Sequence, residues 1–80
     1  MEITLYSRAW CSWCIDAKEY LTERGYRFTE IDVGKDREAY DDMLELSEQT
    51  YVPTLVAGDE VQVLGGNTGS VIAAWPLPPP

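Results

Sequence analysis

Two cysteines, Cys11 and Cys14, stand three positions apart just after the apolar run Ile3-Thr4-Leu5-Tyr6, and the 80-residue chain has no others. A strand running into a helix start places Cys11 in the helix's first turn. There the unpaired backbone N–H groups and the positive end of the helix dipole favour a thiolate over a thiol. Cys14 follows at i+3, so its sulfur lies on the same helical face. An attacking thiolate beside a second thiol that resolves the mixed disulfide is the minimum equipment for dithiol–disulfide exchange. Three other readings compete. A structural staple closing so short a loop would contribute only about 2 kcal/mol. A tetrahedral zinc site needs four ligands, and the chain has no histidine and no further cysteine to complete one. Two inert core cysteines are the third, since free cysteine is often buried. Redox exchange is the leading reading.

The chain's length admits one small domain, and its hydrophobic share of 45% is that of a globular protein rather than a disordered one. Six basic residues against fourteen acidic ones give a net charge of −8. That excess repels phosphate backbones and anionic lipid surfaces, which argues against nucleic-acid and membrane partners. No apolar run has the length of a membrane span, and the N-terminus lacks the regions of a signal peptide. Two cysteines without an export signal fit a reducing compartment, so a cytoplasmic location is expected.

Glu2 to Tyr6 alternates polar and apolar residues and reads as a first strand. Ser7 to Trp10 is the loop presenting Cys11. From Ser12 to Arg24 the spacing is helical, with Cys14, Ala17 and Leu21 on one stripe, and Gly25 serves as a left-handed cap. Tyr26 to Val33 is a second strand, parallel to the first through a right-handed crossover. Asp36 caps a second helix from about Arg37 to Gln49. It buries either Tyr40, Met43 and Leu44 or Ala39, Met43 and Leu46. Pro53 opens a strand, since it cannot donate to a ladder. Gly58-Asp59 joins Thr54–Ala57 to Val61–Leu64 as an antiparallel hairpin. Thr68 or Ser70 caps a short last helix carrying Val71, Ile72, Ala74 and Trp75, with Trp75 assigned to the core. Residues 1–75 make the domain, and residues 76–80 are a proline-rich tail of polyproline character. The order β-α-β-α-β-β-α predicts an α/β protein with a four-stranded mixed sheet flanked by three helices.

This order, with Cys11-Ser12-Trp13-Cys14 after the first strand and Val52-Pro53 before the third, resembles the thioredoxin fold, and at this length the glutaredoxin family in particular. Tyr6-Ser7-Arg8, Ala17-Lys18, Glu30-Ile31-Asp32-Val33 and Gly65-Gly66-Asn67-Thr68 carry the likeness further, over nearly the whole chain. The resemblance implies Cys11 as nucleophile and Cys14 as resolving thiol. It implies a cis Pro53 that offers the backbone of Val52 to an extended substrate. Glutathione is the implied co-substrate, with its glycyl carboxylate on Arg8 and Gln49 and its γ-glutamyl carboxylate near Thr68 and Gly69. Trp13 and Tyr51 would wall the groove. The family's usual Cys-Pro-Tyr-Cys is here Cys-Ser-Trp-Cys, and Gly69 replaces an acidic residue that would face the γ-glutamyl amine.

Two alternatives follow from the same likeness. One is a redoxin that takes electrons from thioredoxin reductase and passes them to ribonucleotide reductase; such proteins carry a Trp-Ser-Gly-Phe-type segment where this chain has Gly65-Gly66-Asn67-Thr68. The other is a carrier of a [2Fe–2S] cluster held between two copies with glutathione, for which Ser12 in place of proline resembles the members that do so. A monomer acting on glutathione-mixed or protein disulfides is the expected form.

Overall fold

The computed structural model describes residues 2–66 and 68–74. Strand β1 (Ile3–Ser7) leads through helix α1 (Ser12–Glu23) to β2 (Thr29–Asp32); α2 (Arg37–Ser47), β3 (Thr54–Ala57), β4 (Glu60–Val63) and α3 (Thr68–Ala74) follow. The four strands form one mixed sheet in the order β2-β1-β3-β4. The β1–β2 pair is parallel and the β1–β3 and β3–β4 pairs are antiparallel. This is the expected thioredoxin-like architecture.

The alternation of β1 divides the core between the sheet's two faces. Ile3 and Leu5 point to the side where Ala17 and Leu21 of α1 and Ile72 of α3 complete one apolar cluster with Leu55, Ala57 and Leu64. Tyr6 points to the other side, where Val33 joins Ala39 and Met43 of α2. Helices therefore cover both faces, and the C-terminal end of β1 delivers the chain to the start of α1.

Several boundaries differ from the sequence reading. The second strand begins at Thr29, not Tyr26, because the Tyr26 N–H is already taken by the Leu21 carbonyl at 3.0 Å while that of Gly25 bonds Thr22. With Gly25 at φ 80° these bonds form the αL helix end expected there, and Tyr26 and Phe28, outside the strand, pack partly buried against the core. Helix α2 ends at Ser47, two residues short, because Glu48 adopts the left-handed region at φ 57°. Its buried stripe falls between the two candidate sets: Ala39 and Met43 are fully buried, Tyr40 and Leu44 lie half-buried beside them, and Leu46 is exposed. Strand β4 starts at Glu60 rather than Val61. Thr68 and Ser70 lie inside α3 rather than capping it. Trp75 and the tail fall outside the described residues. Among the described residues no helix is long and apolar enough to cross a membrane.

Candidate active site

Cys11 stands one step outside the helix, not in its first turn. It is the N-cap of α1, with extended backbone (φ −95°, ψ 108°) and its Sγ accepting the Cys14 N–H at 3.2 Å. Trp10 makes this entry possible: its backbone is in the left-handed region at φ 64°, a costly conformation for a bulky residue, and its indole is 99% exposed. Both cysteines are free thiols, and they differ in access: Cys11 is half-buried, Cys14 only 1% exposed. Burial is the largest cause pushing the Cys14 thiol up to about 12. Its hydrogen bond and electrostatic interaction with Cys11 and the charge of Glu30 add to that, against a backbone contact at Arg8. One thiol is thus placed to meet a substrate and the other is held back as a protonated reserve.

Trp10 precedes Cys11, and Trp13 stands between the two cysteines in the chain. Trp13, half-exposed on α1, lays its indole on Gly66; a Cβ at that position would come within 3.1 Å of the ring. Tyr51 is largely exposed. The Val52–Pro53 peptide is cis. Leu64 N–H bonds the Pro53 carbonyl at 2.9 Å, but among the described residues no hydrogen bond takes up the N–H or C=O of Val52.

Gln49 is tied to its own loop. Its Nε2 donates to the Thr54 hydroxyl (3.1 Å), the Tyr51 carbonyl (3.3 Å) and the Ser47 hydroxyl (2.9 Å), while its Oε1 accepts the Tyr51 N–H. The Thr54 hydroxyl donates to the same Tyr51 carbonyl at 2.7 Å. Gln49 therefore splints the approach to Pro53. Arg8 is exposed and its guanidinium lies 5.5 Å from the centre of the Tyr40 ring, with that of Arg37 at 5.8 Å. With Lys35 these residues line a cleft of about 310 Å³. Lys35 and Arg37 were not among the expected site residues, and Tyr40 was expected only as a candidate for the buried stripe of α2. Thr68 is buried and Gly69 exposed at the start of α3, where Gly69 lies near the Tyr20 ring of α1.

A second cleft, about 290 Å³, opens behind the dithiol between β1, β2 and α1. Cys14, Ser7, Lys18, Glu30 and Asp32 contribute to its walls. The Ser7 hydroxyl donates to Glu30 Oε2 at 3.0 Å, and Lys18 Nζ meets the same oxygen at 3.2 Å. Glu30 was not among the expected site residues, although strand alternation carries a signal for it. Register pairs Glu30 with the core residue Leu5, so the carboxylate shares the α1 face of the sheet.

Comparison with known proteins agrees with this geometry. The sequence profile of the Glutaredoxin family matches residues 3–62. A glutaredoxin-like 8.6 kDa protein of the rubredoxin operon in Clostridium pasteurianum is 36% identical over 53 residues, covering 66% of this chain and 71% of that protein. The N-acetyl-S-hydroxy-L-cysteine reductase of Bacillus subtilis is 33% identical over 66 residues, covering 81% of this chain and 70% of the other. Among solved structures, the glutaredoxin-like NrdH-redoxin of Escherichia coli, described as having a thioredoxin-like activity profile, superposes with a TM-score of 0.76 at 29% identity. That match covers 98% of this chain and 100% of the redoxin. With the profile spanning most of its length and the dithiol at the mouth of a thioredoxin-like sheet, the chain belongs to the glutaredoxin family.

Proposed function

We propose that the protein is a dithiol oxidoreductase that reduces glutathione-mixed and protein disulfides, with Cys11 as nucleophile and Cys14 as resolving thiol. The observation that carries this reading is the asymmetry of the pair. Cys11 Sγ sits at the solvent-facing start of α1, and Cys14 is buried with its thiol pushed up to about 12. Only the accessible sulfur can meet an incoming disulfide; the buried one attacks after the mixed disulfide has formed beside it. The free backbone groups of Val52 would pair with an extended substrate segment, flanked by Trp13 and Tyr51. Arg8, with Arg37 and Lys35 near it, would receive a carboxylate by charge-assisted hydrogen bonds, and the backbone at Thr68 and Gly69 a second one. Gln49 acts by holding the Tyr51–Pro53 approach in place.

Two observations favour a second source of electrons. The end-to-end match to a redoxin with a thioredoxin-like profile, together with the absorption of Gln49 into its own loop, supports reduction by thioredoxin reductase in place of glutathione. The test is turnover of a glutathione mixed disulfide coupled to glutathione reductase, with thioredoxin reductase in a parallel assay. Activity in the first assay, lost in Cys11→Ser and retained in Cys14→Ser, is the expected result. No turnover with glutathione but reduction of the Cys11–Cys14 disulfide by thioredoxin reductase replaces the glutathione assignment with the second reading. Inactivity in both overturns the oxidoreductase proposal.

A further inference from the structure

The resolving step has a chemical problem that the Cys11–Cys14 pair does not solve by itself. A buried thiol must lose its proton before it can attack, and at neutral pH almost none of it is ionised. The cleft behind Cys14 supplies the missing group. Residues i and i+4 of α1, Cys14 and Lys18, share a helical face, and that face looks onto the side of the sheet bearing Ser7 and Glu30. Ser7 is only 2% exposed, in a strand position where an apolar side chain would pack. Its hydroxyl and the Lys18 ammonium converge on one oxygen, Glu30 Oε2, at 3.0 and 3.2 Å. The Lys18 and Glu30 side chains are 39% and 37% exposed, so an ion pair of this kind adds little stability. What the three residues do achieve is to hold a carboxylate in one position on the wall that Cys14 also lines.

We propose that Glu30, oriented by Ser7 and Lys18, is the proton acceptor for Cys14 in the resolving step, reached through water in the cleft that the four residues share. A volume of about 290 Å³ is several times the space a water molecule needs. The proton leaves Cys14 Sγ for the carboxylate as the sulfur's electron pair attacks Cys11 Sγ. The Cys11–Cys14 bond forms, the bond from Cys11 to the substrate sulfur breaks, and the substrate leaves as a thiolate that takes up a proton. Two cysteine thiols are oxidised to one disulfide and one substrate disulfide is reduced. Transfer to Glu30 leaves the number of negative charges on the cleft's walls unchanged, where ionisation of Cys14 to solvent would add one beside Glu30 and Asp32. Lys18 and Arg8, the cations facing the cleft, do not accept a proton, and of its two carboxylates Glu30 is the one held by both Ser7 and Lys18, whereas Asp32 Oδ1 accepts the Gly34 N–H of its own turn at 2.8 Å.

This inference rests on the dithiol reading above, and one experiment separates the two. The reduced protein is mixed with an aromatic disulfide that liberates coloured thionitrobenzoate. Attack by Cys11 releases one equivalent, and attack by Cys14 on the resulting mixed disulfide releases the second. In Glu30→Gln the second release should slow at least about tenfold at neutral pH. Its rate should then climb about tenfold per pH unit as the free thiolate takes over, while the wild type varies less. Glu30→Asp should recover part of the loss. Ser7→Ala, a smaller perturbation, gives an independent variant and should shift the second phase in the same direction. A second phase with the wild-type rate and pH profile in Glu30→Gln overturns the proposal, as does a slowing that is the same at every pH. A wild type that releases no second equivalent removes the dithiol reading, and this inference with it.

Discussion

A methyl group added at Gly66 would come within 3.1 Å of the Trp13 indole, whereas one added at Gly65 would meet nothing within 4 Å. The neighbouring glycines are there for different reasons, and substitution should separate them. Gly65 has φ 53°, so Gly65→Ala forces a left-handed alanine and should cost about 1 kcal/mol of stability with little effect on exchange. Gly66→Ala meets an indole that is half-exposed and free to shift, so its cost in stability should be about 0.5 kcal/mol or less. Its effect belongs in kcat/KM for a protein disulfide, which should fall several-fold as Trp13 leaves the groove wall. Urea unfolding and substrate titration on both variants check this; equal losses of stability would refute the distinction. The Gly-Gly pair was legible in the sequence as a chain break, but its contact with Trp13 was not, because residues 13 and 66 meet only once the sheet brings α1 over the end of β4. Gln49 shows the reverse. Its side chain had the right position for a ligand contact, and the loop bonds that engage it depend on the left-handed turn at Glu48, which no glycine announces.

The helices show the same division between local and tertiary information. Of the two N-caps only Asp36 was read as one from the sequence, Cys11 having been expected inside the first turn, and the two serve different ends. Asp36 Oδ1 accepts the Ala39 N–H at 3.0 Å, an ordinary and effective cap. Cys11 fills the same position on α1 with a sulfur, a weak acceptor, at 3.2 Å. Chemistry therefore occupies a site where a serine would hold the helix better. Asp36→Ala should lower unfolding stability by about 1 kcal/mol. Cys11→Ser should abolish exchange and raise the stability of the reduced protein by about 0.5 to 1 kcal/mol, since serine ranks among the best caps. Denaturant midpoints for the two variants, measured under reducing conditions, check the pair of signs; a destabilised Cys11→Ser would show that the sulfur contributes more than a cap. Helix α2 illustrates where pattern runs out. Its apolar residues supported two overlapping stripes, and the sheet selected one centred between them, leaving Leu46 in solvent.

Across the molecule the order of elements was readable because several boundaries carry local markers, such as Gly25 after α1 or Gly58-Asp59 in the hairpin, and short connections leave few ways to assemble them. The electrostatic consequences were not readable, since they depend on which groups the fold buries. Cys14 is the clearest case. Burial lifts its thiol from an ordinary value of 9 to about 12, so the folded protein favours the protonated form more strongly than the unfolded chain does. Between these values the unfolded state has lost a proton that the native state keeps, so stability falls as pH rises. The contribution is complete below pH 9 and is lost as pH rises through about 12. Within that window each pH unit removes up to about 1.4 kcal/mol, so the limiting effect is a few kcal/mol. Other groups titrate in the same range, among them Tyr6, raised from 10 mainly by its burial, and the net charge of −8 grows more negative as they do. Comparison with Cys14→Ala removes those shared contributions. The reduced wild type should lose stability relative to Cys14→Ala once the pH passes 9, with the two curves parallel below it. Urea unfolding of both proteins along a pH series gives the difference directly. Curves that stay parallel well above pH 9 would mean that Cys14 ionises as readily folded as unfolded, and the assignment of a protonated reserve thiol would fall.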